Sequence, residues 1–88
     1  MMLRMKLPSE PVTITPQQIA TLNQTLSDVR HNINNYLSLM TAAAEIVSRK
    51  PEMAPRMLAN LVTQPQKVTD EMRRFSAEFE KVLQIQRE

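Results

Sequence analysis

The sequence predicts an all-α protein: a long antiparallel helical hairpin that associates with a second copy into a homodimeric four-helix bundle. Three observations predict it. The 88 residues include no Gly, which hairpin turns, bulges and phosphate-binding loops use for positive φ angles. Two long segments carry apolar residues at helical spacing. The two patterns also mirror each other about Pro51, which lies at the centre of the predicted hairpin.

Residues 1–14 are predicted to form an extended or flexible arm ahead of the helices. Pro8 and Pro11 disfavour a helix there, and the β-branched run at 12–14 does the same. The arm has basic residues but no apolar stretch of the kind that a signal peptide contains. The remaining residues, 15–88, are predicted to form the helical hairpin.

The first helix is predicted over about residues 16–49. Thr15 is a good N-cap, Pro16 suits the first helical position, and Gln18 lies where a capping box places Glu or Gln. Apolar residues then recur in alternating steps of three and four, which is a heptad stripe: Ile19, Leu22, Leu26, Val29, Ile33, Tyr36, Met40, Ala43 and Val47.

The second helix is predicted over about residues 52–86, after the break at Pro51. The same alternation of steps returns: Ala54, Leu58, Leu61, Pro65, Val68, Met72, Phe75, Phe79 and Val82. The phase of the stripe continues across Pro65. This continuity favours one helix with a kink near Pro65 over two helices joined by a loop.

The two stripes fit an antiparallel register in which Val29 lies level with Met72 and Leu22 lies level with Phe79. Additional apolar residues widen the stripe near the turn: Leu37, Leu39, Ala44 and Ile46. A two-helix hairpin cannot bury so wide a stripe, and its apolar face would remain open to water. Two hairpins packed face to face close the core, so we expect a homodimer whose stability depends on concentration.

Composition excludes several classes of function. One His and no Cys leave no plausible transition-metal site, and no nucleotide- or cofactor-binding motif is present. The net charge of +2 is small and the charges are mixed along the chain, which argues against nucleic acid as a partner. No apolar run is long enough for membrane insertion. The absence of Cys fits a cytoplasmic protein.

His31 is the one candidate for a chemically reactive residue. The heptad register points it away from the hairpin seam and toward solvent. Asp28, one turn earlier, could accept a hydrogen bond from the imidazole and fix its tautomer. Asn34 and Asn35, one turn later, offer amide donors to a group attached to the ring. Judged by position alone, an exposed His among polar residues is most often a solvated side chain without a role.

The segment HNINNYLSLMTAAAEIV, which begins at His31, resembles the H-box of the dimerisation and histidine-phosphotransfer (DHp) domain of bacterial sensor histidine kinases. The family pattern is His, an acid, an apolar residue, Asn or Arg, then Asn or Thr, as in HDLNNLL. The matching residues are His31, Ile33, Asn34, Asn35 and Leu37. The family fold is a helical hairpin that dimerises into a four-helix bundle, with the His exposed on the first helix. The resemblance implies a two-component signalling role in which His31 accepts a phosphoryl group.

The chain departs from the family pattern in two ways. Asn32 occupies the position of the family's acid, which acts as a base toward the imidazole during attack on ATP. An amide cannot take up that proton, so kinase-type phosphorylation should be impaired. A chain of 88 residues also has no room for the family's ATP-binding domain. We therefore expect at most a phosphotransferase and not an autonomous kinase.

Two hypotheses follow. In the first, the protein is a phosphotransfer module: His31 exchanges a phosphoryl group with a receiver domain, or is served by a separate ATPase-type kinase domain. Its supporting residues would be Asp28, Asn32, Asn34 and Asn35. In the second, the protein is a non-catalytic dimerisation or protein-interaction module, either a degenerate DHp domain or an unrelated helical bundle.

Overall fold

The computed structural model describes residues 5–87 and consists mainly of two long antiparallel helices, the second of them bent. The first is α1, Pro16–Arg49. A 3₁₀ helix, Pro51–Met53, forms the turn, and α2 (Ala54–Leu61) and α3 (Gln64–Val82) make up the second. The predicted helical hairpin is confirmed, although its second helix ends at Val82 and not near residue 86. None of the helices in this part of the chain has the length and apolarity needed to cross a membrane.

The beginning of α1 is fixed by a capping box. The Thr15 hydroxyl accepts a hydrogen bond from the Gln18 backbone N–H at 3.1 Å, and the Gln18 side-chain oxygen accepts one from the Thr15 N–H at 2.9 Å. These two bonds satisfy donors that a helix start otherwise leaves unpaired. At the other end, the Lys50 N–H donates to the Ile46 carbonyl at 2.7 Å, and Pro51 follows as the first residue of the turn.

The bend in the second helix lies at Val62 and Thr63, two to three residues before Pro65. Proline lacks an N–H and clashes with the carbonyl four residues earlier, so the helix restarts with Pro65 in the first turn of α3, where neither defect matters. The Asn60 carbonyl is satisfied at the bend. It accepts hydrogen bonds from the Thr63 N–H, the Thr63 hydroxyl at 2.8 Å and the Gln64 side-chain amide at 3.3 Å.

The open end of the hairpin is tied by a short antiparallel ladder between β1 (Met5–Lys6) and β2 (Gln86–Arg87). Gln84 turns the chain out of α3 with φ of 57°. The Gln84 and Ile85 N–H groups donate to the carbonyls of Lys81 and Glu80, the pattern of a Schellman cap. Part of the predicted arm is therefore paired with the C-terminal segment. Residues 1–4 of that arm, and residue 88, lie outside the described residues.

The hairpin is a layer about one helix thick. Its Cα atoms span 59 × 32 × 13 Å. Among residues 5–86, the buried apolar side chains are those of Val29, Ala43 and Met57. The accessible surface is 7071 Å² for a 10.1 kDa chain. The surface of a folded monomer of this mass is typically about 5,300 Å², so the single chain exposes about 1,800 Å² more than usual.

Exposure alternates along the apolar stripe of the second helix. Every other member is only partly exposed, at spacings of seven: Leu61, Val68, Phe75 and Val82. The members between them are exposed, also at spacings of seven: Leu58, Pro65, Met72 and Phe79. Met72 is 58% exposed and Leu58 is 53% exposed. One set packs toward α1, whereas the other lies on a free face of the hairpin.

Contacts between the helices agree with the predicted register to within two residues. The register places Asn32 level with Thr69, and the Asn32 side chain donates a hydrogen bond to Glu71. The Lys67 ammonium lies 5.8 Å from the centre of the Tyr36 ring, as a cation–π contact.

Candidate functional site

His31 is exposed on α1, and Asn35 on the next turn lies within hydrogen-bonding distance of it. The Asn35 side-chain nitrogen lies 3.4 Å from the imidazole Nε2. In the tautomer that carries its proton on Nδ1, the imidazole Nε2 can accept a hydrogen bond from this amide.

Asp28 has a different partner from the one that the spacing predicts. Its carboxylate accepts a hydrogen bond from the Gln24 side chain at 2.9 Å instead of one from the imidazole. Helical side chains lean toward the helix N-terminus, which is consistent with the Asp28 carboxylate lying near the Gln24 amide one turn earlier. Asp28 thus leans toward Gln24, whereas Asn35 leans back toward His31. Of the predicted supporting residues, Asn35 is the one that contacts the imidazole.

Asn32 lies at the seam between the helices and is partly buried. Its side-chain nitrogen donates to Glu71 Oε1 on α3 at 2.7 Å. The same oxygen accepts from Arg74 at 3.2 Å, as an ion pair. The side chain of Glu71 is only 15% exposed, whereas that of Arg74 is 46% exposed. Sequence reasoning missed Glu71, although the register placed it within two residues of the level of Asn32.

An apolar groove of about 320 Å³ runs along the other side of the seam. Its walls are formed by Leu26, Val29, Ile33, Met72 and Phe75, and its rim by Arg30, Asn34 and Ser76. Asn34 is thus at the edge of this groove as well as one turn after His31. The Phe75 and Phe79 rings pack in a tilted arrangement beside it, with their centroids 5.7 Å apart.

The hairpin consequently has two unlike faces. Successive helical residues differ by about 100° in direction, so Asn32 and Ile33 point to opposite sides of the layer, as do Glu71 and Met72. We call the side with His31, Asn32, Asn35, Glu71 and Arg74 the polar face. We call the other side the apolar face, defined by the exposed residues Ile19, Leu37, Leu58, Pro65, Met72 and Phe79.

Residues 5–87 contain no group of three or more His, Cys, Asp or Glu side chains placed to hold a metal ion. Comparison of the chain with protein-family models, with curated proteins and with solved structures gave no match. The likeness to a DHp domain therefore depends on the segment that begins at His31 and on the helical hairpin that carries it.

Proposed function

We propose that this protein is a DHp-like phosphotransfer module of two-component signalling, with His31 as the phosphoryl acceptor. The observation that carries the proposal is the placement of the imidazole. His31 is exposed on the polar face of the hairpin, and its Nε2 lies 3.4 Å from the Asn35 side-chain nitrogen. A nucleophilic nitrogen in that position is accessible to a second protein that docks along the helices.

The proposed reaction moves a phosphoryl group between an aspartyl phosphate of a receiver domain and His31. The Nε2 lone pair attacks phosphorus, a P–N bond forms, the acyl P–O bond breaks, and the aspartate leaves as a carboxylate. The proton on Nδ1 need not move during the attack. The receiver domain supplies its own metal ion and most of the charge stabilisation. Asn35 is placed to donate a hydrogen bond to the transferred group.

We further infer that two hairpins pair through their apolar faces into a four-helix bundle. In such a bundle each helix packs against two neighbours, which accounts for the alternating exposure along the second helix. The excess surface of about 1,800 Å² per chain also lies in the range of obligate dimers, which bury about 1,000–2,500 Å² per chain. The polar face, with His31, stays open in this arrangement.

The test is transfer of label from phosphorylated receiver domains. We expect labelled protein whose phosphate is lost in acid and kept in alkali, as for a phosphohistidine. His31→Gln should abolish the labelling without changing the molecular mass of the assembly in solution. The matched control is Asp70→Asn on the exposed side of α3, which should label like the wild type. Failure of every receiver domain from the same genome to transfer label would contradict the proposal.

A specific observation favours the second candidate, a non-catalytic dimerisation module. The amide of Asn32 stands where the family has its acid, and it is already bonded to Glu71. If the label test fails while the dimer is present in solution, this candidate replaces the first. The apolar face then carries the function, and His31 is a solvated residue.

A further inference from the structure

Asn32 and Glu71 make a hydrogen bond whose two ends are chemically unequal. Asn32 supplies the donor from α1, and Glu71 supplies a carboxylate acceptor from α3, at 2.7 Å. Bonds of this short length that involve a charged group are stronger than neutral ones. The pair lies one residue from His31 and bridges the two helices. It can therefore fix both the level and the rotation of α1 against α3 at the imidazole.

Glu71 also restricts what residue 32 can be. Its carboxylate is largely withdrawn from solvent and already has Arg74 as its cation. An Asp at position 32 would place a second carboxylate at hydrogen-bonding distance from the first. Two carboxylates that close cannot both remain ionised without a large cost. An amide at position 32 is thus the complement of Glu71.

We propose that Asn32 and Glu71 form a matched pair that sets the register of α1 against α3, and that Glu71 is thereby a positioning residue for His31. Partly buried polar pairs of this kind are an established means of fixing helix register. The description of Glu71 as a positioning residue rests on the function proposed for His31. The matching of residues 32 and 71 is independent of that function.

The test exchanges the donor and the acceptor. In the Asn32→Asp variant two carboxylates face each other. In the double variant, Asn32→Asp with Glu71→Gln, the amide introduced on α3 can donate to the new carboxylate on α1, and the bond is restored in the reverse direction. The single variant Glu71→Gln completes a double-mutant cycle. Asp70→Asn is the matched control, because Asp70 is exposed and accepts its hydrogen bond from Gln66 on its own helix.

Urea unfolding at one fixed protein concentration measures the unfolding equilibrium of the wild type and of each variant in this double-mutant cycle. We expect Asn32→Asp to shift the equilibrium at least about tenfold toward the unfolded state, and the double variant to return within about threefold of the wild type. Asp70→Asn should change the equilibrium by less than about twofold. The proposal is overturned if Asn32→Asp costs no more than the control, or if the double variant is no more stable than Asn32→Asp.

A second readout separates positioning from stability alone. His31 is the only His in the chain, so its imidazole gives a single set of NMR cross-peaks. Asn32→Asp should displace those cross-peaks in the folded protein, and the double variant should restore them. Unchanged cross-peaks in folded Asn32→Asp would refute the positioning role. Failure of receiver domains to label the wild type would instead refute the proposed phosphotransfer and leave the matched pair standing.

Discussion

The two faces of the hairpin differ in how they are stabilised. On the polar face, hydrogen bonds within the chain hold the charged and amide groups: Asn32 bonds Glu71, Glu71 pairs with Arg74, and Gln66 bonds Asp70. On the apolar face, side chains such as Met72 and Leu58 remain more than half exposed. These polar pairs form within one copy of the chain, although Leu39 and Ile46, which lie seven and fourteen residues after Asn32, also expose apolar surface on that side. The apolar face is incomplete until something covers it.

Because its faces differ, a thin helical layer can use one face for association and the other for a reactive group. Burial of the apolar face supplies free energy for association, at roughly 25 cal/mol for each Å² removed from water. The exposed groups of the polar face contribute little to stability, because exposed ion pairs and hydrogen bonds add only about 0–1 kcal/mol each. The partly buried Asn32–Glu71 bond is the exception. The exposed groups are free to change their partners. The proposed phosphoryl acceptor, His31, lies on the face that the proposed association leaves open.

The largest expected effect comes from a charge on the apolar face. Met72→Asp should raise the dissociation constant of the proposed dimer at least about a hundredfold, because it would bury an unpaired carboxylate in both copies. Sedimentation equilibrium measures the constant. Ala77→Asp, a matched change at an exposed site on α3 away from the seam, should leave it within about threefold of the wild type. A monomeric wild type would refute the dimer directly.

The next effect compares two methionines with different surroundings. Met57 is 9% exposed within the single chain, whereas Met72 is 58% exposed. Met57→Ala should lower the free energy of unfolding by about 2–3 kcal/mol through the cavity that it leaves, with little change in dimer affinity. Met72→Ala should mainly weaken the dimer, by about tenfold. Urea unfolding measures the stability of both variants, and sedimentation equilibrium measures their dimer affinity. Equal effects of the two substitutions would contradict the distinction between the core and the apolar face.

The smallest expected effect concerns Gln84, which belongs to neither face. Gln84 adopts φ of 57° in the cap of α3, a conformation that costs a side chain with a Cβ atom but not glycine. Gln84→Gly should stabilise the fold by about 0.5–1 kcal/mol without changing dimer affinity. Thermal unfolding measures the gain. Gln86→Gly, in the extended strand, is the control and should give no gain.

Local chemistry made several features predictable. The cap at Thr15 and Gln18 depends on two side chains three residues apart, so it can be read directly from the sequence. The helices follow from the apolar periodicity, and the turn follows from Pro51. The bend was expected near Pro65 because the loss of one N–H is a property of proline itself. These are interactions within a few residues of the chain.

Other features depend on what the folded chain brings together. The Asn32–Glu71 bond joins residues 39 positions apart. The pairing of β1 with β2 joins the two ends of the described chain, and neither two-residue strand is long enough to show a periodic pattern. Gln64 is 7% exposed although it is polar, because it lies at the bend and its amide caps Asn60. None of these follows from residue type or periodicity.

The sequence by itself determined the helices, the turn and the heptad stripe, since each arises from local propensity and from the 3.6-residue period of the helix. Only the tertiary structure divided that stripe into a packed half and an open half. Only the tertiary structure joined Asn32 to Glu71, which lies 39 residues away on the other helix. The physical reason is that periodicity specifies which residues share a side of a helix, whereas side-chain direction and the neighbouring helix decide which of them meet.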